Sequence, residues 1–233
     1  MFVFYHPDLE NNNIVLQPEE SRHCIKALRH REGDRIFLTD GAGEMAEAEV
    51  MVADANNCAV QILKRESVPE RRVRLHLAVA PTKNSDRMEW LVEKAVEIGV
   101  EQISFIICEH SERVKIDLPR MERIAISALK QSQTALLPQL EVLSFHDLQS
   151  KYAESSVIKY IAWCDQDNTE QLVHENLQDG NVLLLIGPEG DFSTEEIAQC
   201  KTLGYKEIKL GSRRLRTETA ALYGVCAIAA MNC

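Results

Sequence analysis

The sequence holds no Cys-x-x-Cys, no His-Glu-x-x-His and no other metal-ligand spacing. Its cysteines (24, 58, 108, 164, 200, 226 and 233) are scattered and odd in number. That pattern argues against a disulfide framework or a zinc ribbon, and it points to reduced thiols in a cytoplasmic protein with no metal. Long hydrophobic runs are missing as well. The least charged stretch, between Ala220 and Met231, falls short of the about 20 residues that cross a bilayer. The start, Met1-Phe2-Val3-Phe4-Tyr5-His6-Pro7, has no basic flank followed by an apolar core, so no secretory signal is expected. Neither the dinucleotide fingerprint nor a P-loop occurs. Positive charge is scarce: 26 Lys and Arg face 36 Asp and Glu, a net charge of −10. That balance excludes an indiscriminate polyanion binder, which would coat itself in cations. What remains is a chain of 233 residues, 45% hydrophobic and 27% charged, long enough for one large domain or two small ones.

The first 70 residues predict short strands at Phe2–Tyr5, Ile14–Leu16, Arg35–Thr39, Glu44–Val52 and Cys58–Leu63, separated by Asn, Asp and Gly turns. One helix is expected from about Pro18 to His30. Short strands with a single helix suggest a small β-barrel or sandwich. The basic stretch Lys64 to Arg74, around Pro69, reads as a linker. Beyond it the period changes. Val73, Leu75, Leu77 and Val79 alternate as a strand; Met88, Leu91, Val92 and Ala95 recur at helical spacing and Gly99 stands where a C-terminal cap belongs. Strands are expected at Ile103–Cys108, Val157–Trp163, Val182–Ile186 and Lys206–Leu210. Helices are expected from Pro119, at about Thr169–Gln178, at Ser193–Leu203 and from near Glu218. Strands alternating with helices imply a parallel sheet covered on both faces.

Three segments hold the chemistry. In the first, an apolar strand, Val182 to Ile186, runs into Gly187-Pro188-Glu189-Gly190-Asp191, and Ser193 with Glu196 forms a capping-box pattern. Ligands of open parallel sheets sit beyond the carboxyl ends of strands, where such loops lie. Glu189 and Asp191 would repel phosphate, so a ligand at this point is not anionic; a plain βα turn explains the glycines equally well. The second, Lys209-Leu210-Gly211-Ser212-Arg213-Arg214-Leu215-Arg216-Thr217-Glu218, repeats the format with three arginines in four positions. Such clustering suits a nucleic-acid backbone or a polar substrate. In the third, Arg22, Lys26 and Arg29 fall at i, i+4 and i+7, one face of the expected helix, with His23 and His30 beside them. This is either a solvated face or a stripe that tracks phosphates. Around it, Arg22, Lys26, Arg29, Arg31 and Arg35 face only Glu32 and Asp34, whereas Asp40 to Asp54 holds acids and no base.

In these segments the sequence resembles the RsmE family of small-subunit ribosomal RNA methyltransferases, within the SPOUT superfamily. The matching residues are Ser21-Arg22-His23, Ala27-Leu28-Arg29 and Gly33-Asp34, then Asp86-Arg87-Met88-Glu89, Glu93-Lys94 and Glu97-Ile98-Gly99-Val100. They continue with Gly187 to Ser193, Leu210-Gly211 and Leu215 to Ala220. The match is collinear over nearly the whole chain. Asp191 departs from it where the family often has glycine, and Arg214 where an aliphatic residue is usual. The resemblance implies an α/β protein with a PUA-like RNA-binding barrel over residues 1–70. Residues 73–233 would form a methyltransferase domain with a parallel sheet and a deep C-terminal trefoil knot. It implies a homodimer that binds S-adenosylmethionine through Leu185, Ile186, Gly187, Pro188, Glu189, Gly190, Leu210, Gly211, Leu215, Arg216, Thr219 and Ala220. The substrate would be 16S ribosomal RNA or the small subunit, methylated at N3 of one uridine. RNA would be held by Arg22, His23, Lys26, Arg29, Arg87 and Arg213. Arg216 would stabilise charge on the uracil and Glu218 would accept the N3 proton. Two rival functions stand beside this one: a non-enzymatic RNA-binding assembly factor, and a nucleotide-binding enzyme or oxidoreductase on a doubly wound sheet.

Overall fold

The computed structural model describes residues 2–69, 71–164, 172, 175, 177 and 180–231. The chain divides into two compact units: residues 1–70 with Ile126–Leu137, and Arg71–Ala125 with Pro138–Cys233.

The first unit is a five-stranded sheet in the order β1-β3-β4-β5-β2 (β1 Val3–Tyr5, β2 Asn13–Val15, β3 Arg35–Thr39, β4 Glu44–Val52, β5 Ala59–Ser67). β1 runs parallel to β3 and the other pairs are antiparallel. Ala46, Ala48 and Val50 alternate inward along β4 and meet Phe4, Ile14, Leu38 and Val60 in one core. Both edge strands feed that core, so the sheet curls as a partial barrel; among the described residues no ladder joins β1 to β2.

The helix expected from Pro18 to His30 is different. Pro18–Arg22 is α-helical (α1), and His23–Ala27 is a π-helical turn closed by a Leu28 N–H bond to the His23 carbonyl, at 3.0 Å. Arg29 then adopts φ +61°, outside any right-handed helix. The i, i+4, i+7 argument assumed 3.6 residues per turn throughout. The wider turn and the left-handed residue break that face, although Arg22, His23, Lys26 and Arg29 are all exposed. The expected linker is also shorter than Lys64 to Arg74, because β5 continues to Ser67. Arg65 is committed to the carbonyls of Leu9, Glu10 and Asn11, which removes its charge from any free basic patch.

The second unit is a six-stranded sheet, entirely parallel, in the order β11-β9-β10-β6-β7-β8. Its strands are β6 Val73–Val79, β7 Gln102–Ile107, β8 Gln139–Ser144, β9 Ile158–Ala162, β10 Gly180–Ile186 and β11 Lys206–Ile208. Its helices are α2 Ser85–Ile98, α3 Leu118–Ser132 (whose second half belongs to the first unit), α4 Phe145–Tyr152, α5 Thr194–Thr202 and α6 Thr217–Ala230. β10 is buried on both faces. Leu183 and Leu185 pack with Phe145, Leu148 and Cys200 from α4 and α5. Leu184 faces α6, where a Cβ on Gly224 would lie 2.3 Å from its Cδ2. Gly224 therefore lets α6 pack closely against Leu184 of β10. α2 starts at the Asn84 side chain, which accepts from Asp86 N–H, and stops at Gly99 with φ +103°. Arg71 then donates to the Gly99 and Ile98 carbonyls. β8 and α4 were not expected from the sequence, and the helix expected at Thr169–Gln178 lies mostly outside the described residues.

Candidate active site

Because β9, β10 and β11 are parallel neighbours, their carboxyl ends (Ala162, Ile186 and Ile208) open onto the same edge of the sheet. A cavity of about 970 Å³ lies there. Its walls are the stretch Ala162-Trp163-Cys164, the loop after β10, and the loop from β11 into α6. Such crevices at strand carboxyl ends are where open α/β sheets bind ligands.

The loop after β10 is shaped by close packing. A Cβ on Gly187 would meet the Phe192 ring at 3.0 Å, and one on Gly190 would meet His110 at 3.2 Å. Asp191 has φ +65°, a left-handed conformation in which Asp is tolerated because its short side chain bonds locally. Its carboxylate accepts from the Cys164 and Phe192 N–H groups at 3.0 and 2.9 Å. Partial burial, then the Asp191 carboxylate, push the Cys164 thiol up, so it is a neutral wall group. Ser193 and Glu196 form the complete capping box that starts α5. On the opposite wall Gly211 has φ +120°, and Arg216 is the N-cap of α6. Thr217 Oγ1 donates to the Gly187 carbonyl at 3.1 Å, tying the two loops together.

Of the residues expected to hold the cofactor, Ile186, Gly187, Pro188, Glu189, Leu210, Gly211, Leu215, Arg216 and Ala220 line the cavity. Leu185 is fully buried among apolar neighbours; Gly190 and Thr219 lie beside the wall without forming it. Arg213 lines the cavity together with Arg214 and Arg216, so the arginine cluster converges on one rim. Glu218 does not line it. Its buried carboxylate faces Arg87, with Oε1 3.7 Å from Nε, and Oε2 has no hydrogen-bond partner. Arg87 in turn donates to Glu189 Oε1 at 3.2 Å.

Sequence reasoning missed Trp163 and Cys164; Thr217, within the matched stretch Leu215 to Ala220, lines the cavity as well. Trp163 donates to Glu207 at 2.9 Å and has Lys201 above its ring. The available signal was its place at the end of an expected strand; the strand order that brings β9 next to β10 cannot be read locally. Among the described residues no group of three or more His, Cys, Asp or Glu could hold a metal ion, and no helix is long and apolar enough to cross a membrane.

Comparison with known proteins fits this geometry. The RNA methyltransferase domain model matches residues 69–230 and the RNA methyltransferase PUA domain model residues 16–63. Ribosomal RNA small subunit methyltransferase E of Mesomycoplasma hyopneumoniae is 30% identical over 96% of each chain. The crystal structure of a probable rRNA-methyltransferase from Porphyromonas gingivalis is 40% identical, with TM-score 0.91, covering 100% of this chain and 98% of that one. A ribosomal RNA small subunit methyltransferase E from Neisseria gonorrhoeae, solved bound to S-adenosyl methionine, is 27% identical, with TM-score 0.86 and coverage of 98% and 96%. Two ordered domain matches, a full-length relative and the arginine-rimmed cavity all point the same way: this chain belongs to the ribosomal RNA small subunit methyltransferase E (RsmE) family.

Proposed function

We propose that the chain is an S-adenosylmethionine-dependent methyltransferase acting on N3 of one uridine in 16S ribosomal RNA of the small subunit. The observation that carries this reading is the cavity at the ends of β9, β10 and β11, lined by the Gly187 loop on one side and by the loop of Gly211, Arg213, Arg214 and Arg216 on the other. The wall fits the cofactor. The main chain at Gly211 has open space beside it for an adenine, Gly187 lines the facing wall, and the Glu189 carboxylate is compatible with a cation. When bound, S-adenosylmethionine supplies an electrophilic methyl group.

The chain's own residues do the rest. Uridine N3 carries a weakly acidic proton that passes to water as the methyl group is transferred, and the Arg216 guanidinium favours its loss by stabilising the charge left on the uracil. Glu218 is less suited to accept that proton, since it stands behind the wall against Arg87. Arg213 would hold the RNA at the rim. In the N-terminal unit Arg22, His23, Lys26 and Arg29 are exposed and form no ion pair among the described residues, which suits backbone phosphates. A knotted C-terminal segment, a homodimer formed through helices that expose Trp90 and Tyr223, and a cytoplasmic setting complete the proposal.

Titration calorimetry with S-adenosylmethionine tests it. Saturable binding to the wild-type chain, with Arg216→Ala lowering turnover about 10²-fold at saturating RNA, is expected. A folded chain that binds RNA and no S-adenosylmethionine would instead be an assembly factor.

A further inference from the structure

Arg87 was expected at the RNA. Its surroundings point elsewhere. It sits on the first turns of α2, about a third exposed, between two carboxylates from different segments: Glu189 in the loop after β10 and Glu218 in the first turn of α6. Glu218 is 6% exposed, and among the described residues Arg87 is its only ion-pair partner, with Oε2 unpaired. A buried carboxylate left with no counter-charge is strongly unfavourable, so the three groups act as a unit. The two segments they join are opposite walls of the cavity, already linked once by Thr217 and Gly187.

We infer that Arg87, with Glu218 as its anchor, is a positioning residue that clamps the Glu189 loop onto α6 and fixes the cavity walls for the cofactor. This rests on the methyltransferase reading above. The planar guanidinium reaches both carboxylates at once, which an ammonium on a flexible stem does poorly. Neither Arg87 nor Glu218 then needs to touch RNA or the reacting atoms. Their effect passes through wall geometry, to which transfer reactions are sensitive at the scale of an ångström.

The test measures S-adenosylmethionine dissociation constants by calorimetry, together with turnover and RNA affinity across a salt series. The proteins are the wild type, Arg87→Ala, Arg87→Lys, Glu218→Gln and the Arg87→Ala/Glu218→Gln double variant. Arg87→Ala is expected to weaken S-adenosylmethionine binding about tenfold or more and to lower turnover on the order of 10²-fold. RNA affinity and its salt slope should stay unchanged. Arg87→Lys should recover part of the loss, and it serves in place of Arg87→Ala if that variant does not fold. The double variant should be no worse than the worse single one, as expected of one coupled unit. Weakened RNA binding with a shallower salt slope and unchanged S-adenosylmethionine binding would make Arg87 an RNA contact and overturn the inference. Additive losses would also overturn it. If the wild-type protein binds no S-adenosylmethionine, the methyltransferase reading falls and the inference with it. If the wild type binds and Arg87→Ala binds equally well, only the inference falls.

Discussion

His76 sits in the middle of β6 with both ring nitrogens engaged and almost no exposure. Ser104 donates to Glu141 at 2.6 Å, so its oxygen accepts from His76 Nε2 at 2.7 Å, and Nδ1 accepts from the Tyr152 hydroxyl at 2.8 Å. That arrangement needs the neutral ring. Burial, with a smaller contribution from Lys151, lowers the His76 pKa to about 4, against the opposing pull of Glu141. The unfolded chain therefore binds a proton at its ordinary value near 6.5 while the folded one does not. Stability is fully present above that pH and falls as pH drops from 6.5 towards 4, by about 2 kcal/mol between pH 7 and 5. Urea unfolding at both pH values should show this component in the wild type and not in His76→Asn; equal losses in both would contradict it. Asp191 is a second residue whose surroundings set its role. Asp191→Ala removes two hydrogen bonds and leaves a strained φ, at a cost of roughly 1–3 kcal/mol measurable by chemical denaturation. Asp191→Gly should cost less, because glycine relieves the strain. The positive φ at this position is one that glycine adopts without strain, which fits the expectation that Asp191 departs from a position where glycine is often found.

Elements with strong local signals were legible. Ser193 and Glu196 announced α5, and Ser193→Ala should cost about 1 kcal/mol, read as a lowered midpoint in thermal unfolding. β6 followed from its period-2 pattern, β3 and β4 from strand-like runs bounded by Asn, Asp and Gly turns, and the end of α2 from Gly99. β8 and α4 were missed. Gln139–Ser144 is an edge strand of half-buried residues with no apolar run, and α4 is short, although Ser144 and Asp147 carry an N-cap signal. The π-helical turn at His23–Ala27 was unreadable, since its residues suit an α-helix equally well. Close approach between elements was also hidden. Gly224 carries no signal in the sequence, yet it is where α6 meets Leu184. Gly224→Val should therefore destabilise by roughly 1–3 kcal/mol through overpacking, again measured by chemical denaturation.

For the molecule as a whole, the net charge of −10 describes how nucleic acid is bound rather than whether it is. Many cations are spent internally: Arg65 and Arg71 on carbonyls, Arg35, Arg87 and Arg120 on carboxylates. Two groups of exposed cations stand out, Arg22, Lys26 and Arg29 at the α1 turn and Arg213, Arg214 and Arg216 at the cavity rim, which is a selective rather than a blanket distribution of positive charge. Neutralising Arg22, Lys26 and Arg29 together should weaken RNA binding uniformly and shallow the salt slope by roughly 0.7–0.9 per lost contact. Filter binding across a salt series would show it, and an unchanged slope would remove these residues from the interface. The central claim concerns the methyl mark itself. Mapping N3-methyluridine in 16S ribosomal RNA from cells lacking this gene tests it most directly. The expected result is loss of one mark, restored by the wild-type gene and not by Arg216→Ala; an unaltered methylation map would contradict the account.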